Sequence, residues 1–228
     1  MDDPAFDIVL ASASPRRRQL LEDAGVRFRV RVSDVDETLE PDLLVNPCEA
    51  AKELAQRKAR AVVEDLLNEG YAGSLLVIGA DTMVVRGGRI FGKPCDEEDA
   101  ARMLRLLSGA AHSVHTGVSV WFVDAPAGEE DLSLAFRTFV DTTRVTFRQL
   151  DEAAIAAYLE TGEPFDKAGA YGIQGAGGAL VEDVDGSLDT VIGLPVTRLL
   201  HDFPEIGVST AERGCQGEAA ACPRSLQE

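Results

Sequence analysis

Basic residues are scarce in this chain. Twenty-two Lys and Arg stand against 39 Asp and Glu, a net charge of −17. Binding along a nucleic-acid polymer or an anionic membrane needs an extended basic surface, so the composition argues against both, and any anion site must be local. Long apolar runs are missing as well, and no stretch approaches the roughly 20 residues of a membrane-spanning helix. The start, Met1-Asp2-Asp3-Pro4, is acidic where a secretory signal would be basic, which points to a cytoplasmic protein. The cysteines at 48, 95, 215 and 222 form no CxxC pair and have no histidine beside them in sequence, so free thiols are expected rather than a zinc site. There is no internal repeat, and no GxxxxGK[ST] sequence that would mark a P-loop kinase or GTPase.

What is present suits a folded enzyme-sized domain. A chain of 228 residues, 45% hydrophobic, can bury a substantial core as one large domain or two small lobes. Ile8 to Ala11 reads as a short buried strand, and Ser14-Pro15 as an N-cap followed by the residue best suited to the first helical position. Asn46 with Glu49 opens a helix running to about Gly70. Leu75 to Ile78 is a buried strand, after which Met83-Val84-Val85 and Arg89-Ile90-Phe91 flank Gly87-Gly88 as a tight hairpin. Asp96 to Leu107 is a short amphipathic helix, and Ser113 to Val123 with Leu134 to Phe147 forms an antiparallel pair joined by the polar 124–131 loop. A helix from Asp151 to Glu160, a glycine-rich loop from Pro164 to Gly178, a strand at Val181 to Val184 and a short helix after Leu194-Pro195 complete the pattern. Helices interleaved with isolated strands and hairpins predict an α/β fold with a mixed sheet and a cleft where two halves meet. Residues 1–203 read as one domain and 204–228 as a flexible tail.

Several residues are oddly placed for a purely structural role. Arg16, Arg17 and Arg18 fall in the first turn of a helix, where unpaired N–H groups and the helix dipole are already positive. A phosphate shared between guanidinium groups and helix N-terminus resolves that conflict; a solvated basic turn is the bland alternative. Lys58 shares the apolar face of its helix with Leu54, Ala55 and Val62, and so needs a carboxylate, a bound anion, or a route to the rim. Arg57 and Arg60 share the outer face with Glu53 and Glu64. Asp81 stands at the end of the buried strand, with the Thr82 hydroxyl beside it and Lys93 after the hairpin. In the glycine-rich loop, Asp166 is a metal-ligand candidate, Lys167 a phosphate donor, and Gln174 an amide able to read the edge of a base. Asp36-Glu37-Thr38 reads by itself as a solvated turn, and His112 and His115 as structural.

Taken together, LASASPRRR at 10–18, VDET at 35–38, RKA at 57–59, GADT at 79–82, GKP at 92–94, SGAAHSVHTGV at 108–118 and GEPFDKAGAYGIQG at 162–175 resemble the Maf family of nucleoside triphosphate pyrophosphatases, in the family's order. The resemblance implies a two-lobed fold related to the inosine triphosphatases, with the active site in a central cleft. It also implies a homodimer, and hydrolysis of a nucleoside triphosphate to the monophosphate and pyrophosphate with Mg²⁺ or Mn²⁺. Asp81 takes the place of the family's general base. Ser12, Arg17, Lys58 and Lys93 match phosphate-holding positions, and Arg16 and Lys167 add cations. Glu37 matches the acidic position of the VDET motif, and Asp81, Glu37 and Asp166 are the metal-ligand candidates. Arg17, Thr82 and Gln174 match positions associated with nucleotide choice. Arg16 stands where the 7-methyl-GTP branch carries an aromatic residue, which favours the branch acting on dTTP and UTP, with CTP or modified pyrimidine nucleotides also possible. Eukaryotic members of that branch can be fused to a methyltransferase-like domain. The rival from another class is a regulatory nucleotide-binding protein linked to cell division, for which the same pocket would sense a triphosphate without cleaving it.

Overall fold

Ser14, Asn46, Asp96 and Asp151 each accept the backbone N–H of the residue three positions on, and each opens a helix as their side chains predict. The computed structural model describes residues 6–126 and 132–211, leaving aside the side chains of 208–211. The acidic N-terminus, most of the 124–131 loop, and Cys215 and Cys222 in the expected tail lie outside the described residues. In chain order the elements are β1 (Asp7–Leu10), α1 (Pro15–Asp23), β2 (Arg29–Val30), α2 (Pro41–Leu44), α3 (Pro47–Asn68), β3 (Gly73–Arg86), β4 (Arg89–Phe91), α4 (Glu97–Leu107), β5 (Ala111–Ala125), β6 (Ser133–Phe147), α5 (Glu152–Leu159), β7 (Val181–Asp185), α6 (Leu188–Ile192), α7 (Val196–Asp202) and α8 (Pro204–Ala211). Three short 3₁₀ turns, Glu163–Asp166, Ala168–Ala170 and Gly175–Leu180, stand where the sequence predicts only an irregular glycine-rich loop.

The strands form one mixed sheet in the order β2-β1-β3-β5-β6-β7, with β4 paired to the far end of β3. Strand β1 runs parallel to β3 as far as Leu10 opposite Ile78, while β4 pairs with β3 only from Val84 to Arg86. Among the described residues no strand covers that edge of β3 between Ile78 and Val84. This gap corrects the expected position of Asp81. The strand does not stop before it but continues unbroken for 14 residues, because β5 pairs with β3 on the other edge from Gly73 through Val85.

The long strands β3, β5 and β6 serve two lobes. At one end Ile8, Leu10, Leu76, Ile78, Val118 and Leu199 build a core on one face of the sheet, and Val9, Val77, Val62 and Trp121 build another beneath α3. At the other end Phe91, Leu104, Leu107, Phe147, Ile155 and Tyr171 enclose a separate core. The expected two-lobed, mixed-sheet α/β architecture is the one observed, with the uncovered segment of β3 between the lobes.

Helix α3 lies unusually close to the sheet. Cβ atoms at Gly79 or Gly117 would fall 2.3 Å from the carbonyl oxygens of Ala55 and Ala51 respectively, so only glycine fits under the buried row Ala51, Ala55 and Ala59. Gly117 is the register partner of Asp81, and the close approach therefore brings α3 directly onto the carboxylate. The expectation of a tail from Pro204 also needs correcting. Residues 204–211 are helical, and Ile206 is fully buried against the core that contains Phe203, because apolar surface on that turn has a partner that local composition does not reveal.

Candidate active site

Alternation along β3 sends Asp81 to the α3 face and Thr82 to the opposite one. The uncovered edge between them opens into a cleft of about 630 Å³, lined by Ser12, Arg16, Arg17, Glu37, Lys58, Asp81, Thr82, Lys93, Asp166, Lys167 and Gln174. All of the candidate site residues named from the family resemblance thus face one space, although they come from six separate segments; Arg18 of the arginine cluster is not among the lining residues. Apolar side chains, among them Val32, Leu54, Ile90, Tyr171, Ile173 and Val191, line the rest.

On the α3 face, Lys58 points inward with 12% of its side chain exposed. Its Nζ lies 2.7 Å from Asp81 Oδ1 and 2.8 Å from Glu37 Oε1. Asp81 is nearly as buried, at 13%, so this is a largely desolvated ion pair. Glu37 does not behave as the free solvated turn that its local sequence suggests. Arg57 reaches back from α3 to the Thr38 carbonyl at 2.8 Å while keeping its helix partner Glu53, and Asp36 accepts the Thr38 N–H at 2.8 Å. The loop is therefore pinned with Glu37 turned toward Lys58. Burial pushes the Glu37 carboxyl up, but the Lys58 hydrogen bond and the charges of Lys58, Lys93 and Arg17 together hold it below its ordinary value.

On the other face, Arg17 gives Nε to the Gly193 carbonyl at 2.7 Å, Nη1 to Ser12 Oγ at 3.2 Å and Nη2 to Thr82 Oγ1 at 3.1 Å. All three acceptors are neutral. Burial lowers the guanidinium pKa, Asp81 and then Glu37 oppose that shift, and Arg16 adds to it. Ser12 is buried and also accepts the Ser14 N–H at 3.2 Å, so the turn before α1 is closed by its own hydroxyls.

At the mouth, Arg16 Nη1 is 3.2 Å from Asp166 Oδ2, and Lys167 Nζ is 2.5 Å from Asp166 Oδ1 and also bonds the Glu163 carbonyl. Asp166 is therefore committed to two cations and stands apart from the Asp81 and Glu37 pair. Among the described residues no three His, Cys, Asp or Glu side chains come together to hold a metal ion, and the expected three-carboxylate set is not assembled. Asp81 and Glu37 do converge on the Lys58 ammonium, and Mg²⁺ is commonly held by one or two carboxylates with substrate phosphates completing its shell. Lys93 is exposed on the cleft wall, as is Gln174 on the glycine-rich loop.

The Maf-like protein family matches residues 7–205 of the chain. A dTTP/UTP pyrophosphatase of Pelotomaculum thermopropionicum is 45% identical over 201 residues, covering 88% of this chain and 97% of the relative. The dTTP/UTP pyrophosphatase of Bacillus thuringiensis subsp. konkukian is 43% identical over the same share of this chain and 96% of its own length. The chain belongs to the Maf family. Among solved structures, a nucleoside-triphosphatase / dITP/XTP pyrophosphatase from Mycobacterium abscessus covers 93% of this chain and is itself covered to 98%, at 15% identity and a TM-score of 0.32, an overlap too loose to carry an inference.

Within this Maf chain, neither of the histidines read as structural lines the cleft. His112 is buried, with Nε2 2.7 Å from the Tyr171 hydroxyl, and burial, with Arg86 adding to it, lowers its pKa to about 4. It anchors the glycine-rich loop as a neutral ring. His115 Nδ1 lies 2.9 Å from Thr142 Oγ1 and 3.5 Å from Cys48 Sγ; Cys48 and Cys95 are free thiols. Local sequence does not point to Gly193 or Thr116 as site residues. Gly193 acts through its carbonyl, which any residue type carries, and Thr116 stands 34 positions from Thr82 with only strand register to join them.

Proposed function

We propose that this protein hydrolyses nucleoside triphosphates, dTTP and UTP before others, to the monophosphate and pyrophosphate. The observation that carries the reading is the buried Lys58 and Asp81 pair, joined by Glu37, on the wall of a cleft into which Arg16, Arg17, Lys93 and Lys167 also bring positive charge. The two relatives named dTTP/UTP pyrophosphatase support the substrate class. The cations offset the four negative charges of a triphosphate within an otherwise acidic protein. Ser12 and the α1 N-terminus add neutral donors, while Thr82 and Gln174 stand by the space left for sugar and base.

In the proposed reaction a water oxygen bonds the α-phosphorus and the bridge to the β-phosphate breaks. Asp81 takes the proton of the attacking water. Pyrophosphate leaves with its charge held by the guanidinium and ammonium groups. Asp81 and Glu37 would hold a divalent cation, Mg²⁺ or Mn²⁺, whose contribution is to draw charge from the phosphate oxygens. We place the enzyme in the cytoplasm, as a homodimer. No helix among the described residues is long and apolar enough to cross a membrane.

Purified protein incubated with Mg²⁺ and a panel of dTTP, UTP, CTP, 7-methyl-GTP and modified pyrimidine triphosphates is expected to release pyrophosphate fastest from dTTP or UTP. Thermal stabilisation by these nucleotides with no product would favour a sensor over an enzyme.

A further inference from the structure

Thr116 lies on β5 opposite Thr82 of β3 and is fully buried. Its Oγ1 is 2.7 Å from the Thr190 carbonyl oxygen. A carbonyl only accepts, so Thr116 spends its single hydroxyl proton there. The same Oγ1 is 2.9 Å from Thr82 Oγ1, and in that contact Thr116 must accept and Thr82 donate. Thr82 is then left with lone pairs alone, one of which receives Arg17 Nη2 at 3.1 Å. The polarity of the whole chain follows, running from guanidinium to Thr82, to Thr116, to the Thr190 carbonyl. Its far end is anchored. The Thr190 hydroxyl donates to Asp141, whose other oxygen is held by Arg198 at 3.1 Å. Three residues beyond Thr190, the Gly193 carbonyl takes Arg17 Nε, so one short segment serves both ends of the arrangement.

We infer that Thr116 is a positioning residue for Arg17: by consuming the Thr82 proton it makes Thr82 a pure acceptor, and it aims the guanidinium into the cleft without cancelling its charge. A carboxylate in the place of Thr82 would hold the arginine as firmly but would compete with the incoming phosphate. Thr82 has no proton left for a base carbonyl, so it meets a nucleotide only as an acceptor or through Arg17. This inference rests on the proposed triphosphate reading of the cleft.

The test is a double-mutant cycle. Thr116→Val removes the hydroxyl, Thr116→Ser keeps it, and each is made alone and with Arg17→Met. KM and kcat for dTTP are measured by pyrophosphate release, and affinity for inorganic tripolyphosphate by calorimetry. Losing one hydrogen bond that orders a cation is expected to raise KM by about three- to tenfold, with kcat changed by less than about twofold. Thr116→Ser is expected to restore both values, and Thr116→Val to add nothing once Arg17 is absent. A Thr116→Val effect that persists undiminished in the Arg17→Met background, or that serine does not rescue, overturns the inference, as does an unchanged KM. Should Thr116→Val fail to fold, Thr82→Val cuts the same chain from its cleft end and must show the same coupling. If the parent protein releases no pyrophosphate from any triphosphate, the proposed hydrolysis fails; the cycle is then read from tripolyphosphate affinity, where coupling upholds the positioning role and additivity removes it.

Discussion

Asp81 and Thr82 are neighbours in sequence, yet they hold the two inner cations of the cleft in opposite ways. On the α3 face Lys58 meets two carboxylates. On the other face Arg17 meets a carbonyl and two hydroxyls. A charge paired with carboxylates is stabilised in the absence of ligand but is partly cancelled. A charge held by neutral acceptors is dearer to bury and stays available to an anion. The first arrangement suits a group that must hold the proposed base in place, and the second suits a group proposed to grip phosphate.

The comparison breaks most sharply at Asp81. Asp81→Asn removes the proposed base and is expected to lower pyrophosphate release by about 10²- to 10⁴-fold, with the circular dichroism spectrum and nucleotide-induced thermal shift retained. Normal turnover by that variant would move the base elsewhere. Next comes the stability contrast between the two cations. Lys58→Met leaves Asp81 and Glu37 facing each other without their ammonium and is expected to cost roughly 2–4 kcal/mol in urea denaturation. Arg17→Met strands only neutral acceptors and should cost about 1–2 kcal/mol. Equal losses would show that the two faces do not differ as described.

A smaller effect is expected at the mouth, where the Asp166 carboxylate is 61% exposed and its bridge to Arg16 is correspondingly weak. Asp166→Asn releases Arg16 and Lys167 from their intramolecular anion and should tighten tripolyphosphate binding by about two- to fivefold. Weaker binding would mean that Asp166 helps to hold the ligand. The smallest effect is the share of the pH dependence carried by Glu37 on the α3 face. The folded-state pKa of Glu37 lies below its ordinary 4.5, so its contribution to stability is complete above that value and is lost as pH falls through the lowered one. Because the carboxylate is half exposed, solvent screening limits this to about 0.3 kcal/mol. Urea midpoints measured down this acid limb should fall less steeply in Glu37→Gln than in the parent protein.

Much of this arrangement was legible residue by residue. The caps at Ser14, Asn46, Asp96 and Asp151 act within one helical turn, and the Gly87-Gly88 hairpin needs positive φ at both positions, which it has. The inward stripe of α3 marked Lys58 as a buried amine because helical periodicity is local. Glu37 was harder to read. Its turn is ordinary until Arg57, twenty residues away, pins it toward Lys58. Asp166 matched a metal ligand in type, but the adjacent Lys167 and the distant Arg16 claim both its oxygens. Burial of Ile206 was hidden for the same reason, since a short polar-looking turn gives no sign of the apolar surface waiting for it.

From the sequence alone came the cast of the cleft and the kind of chemistry it supports, because cap preferences, helical and strand periodicities, and the ordered motif blocks are properties of neighbouring residues. The tertiary structure alone decided which carboxylates share a cation, which cation stays uncompensated, and which way the hydroxyl protons point. Those outcomes depend on strand register across β3 and β5 and on how closely α3 rests over Gly79 and Gly117, and both are settled by contacts between segments far apart in the chain.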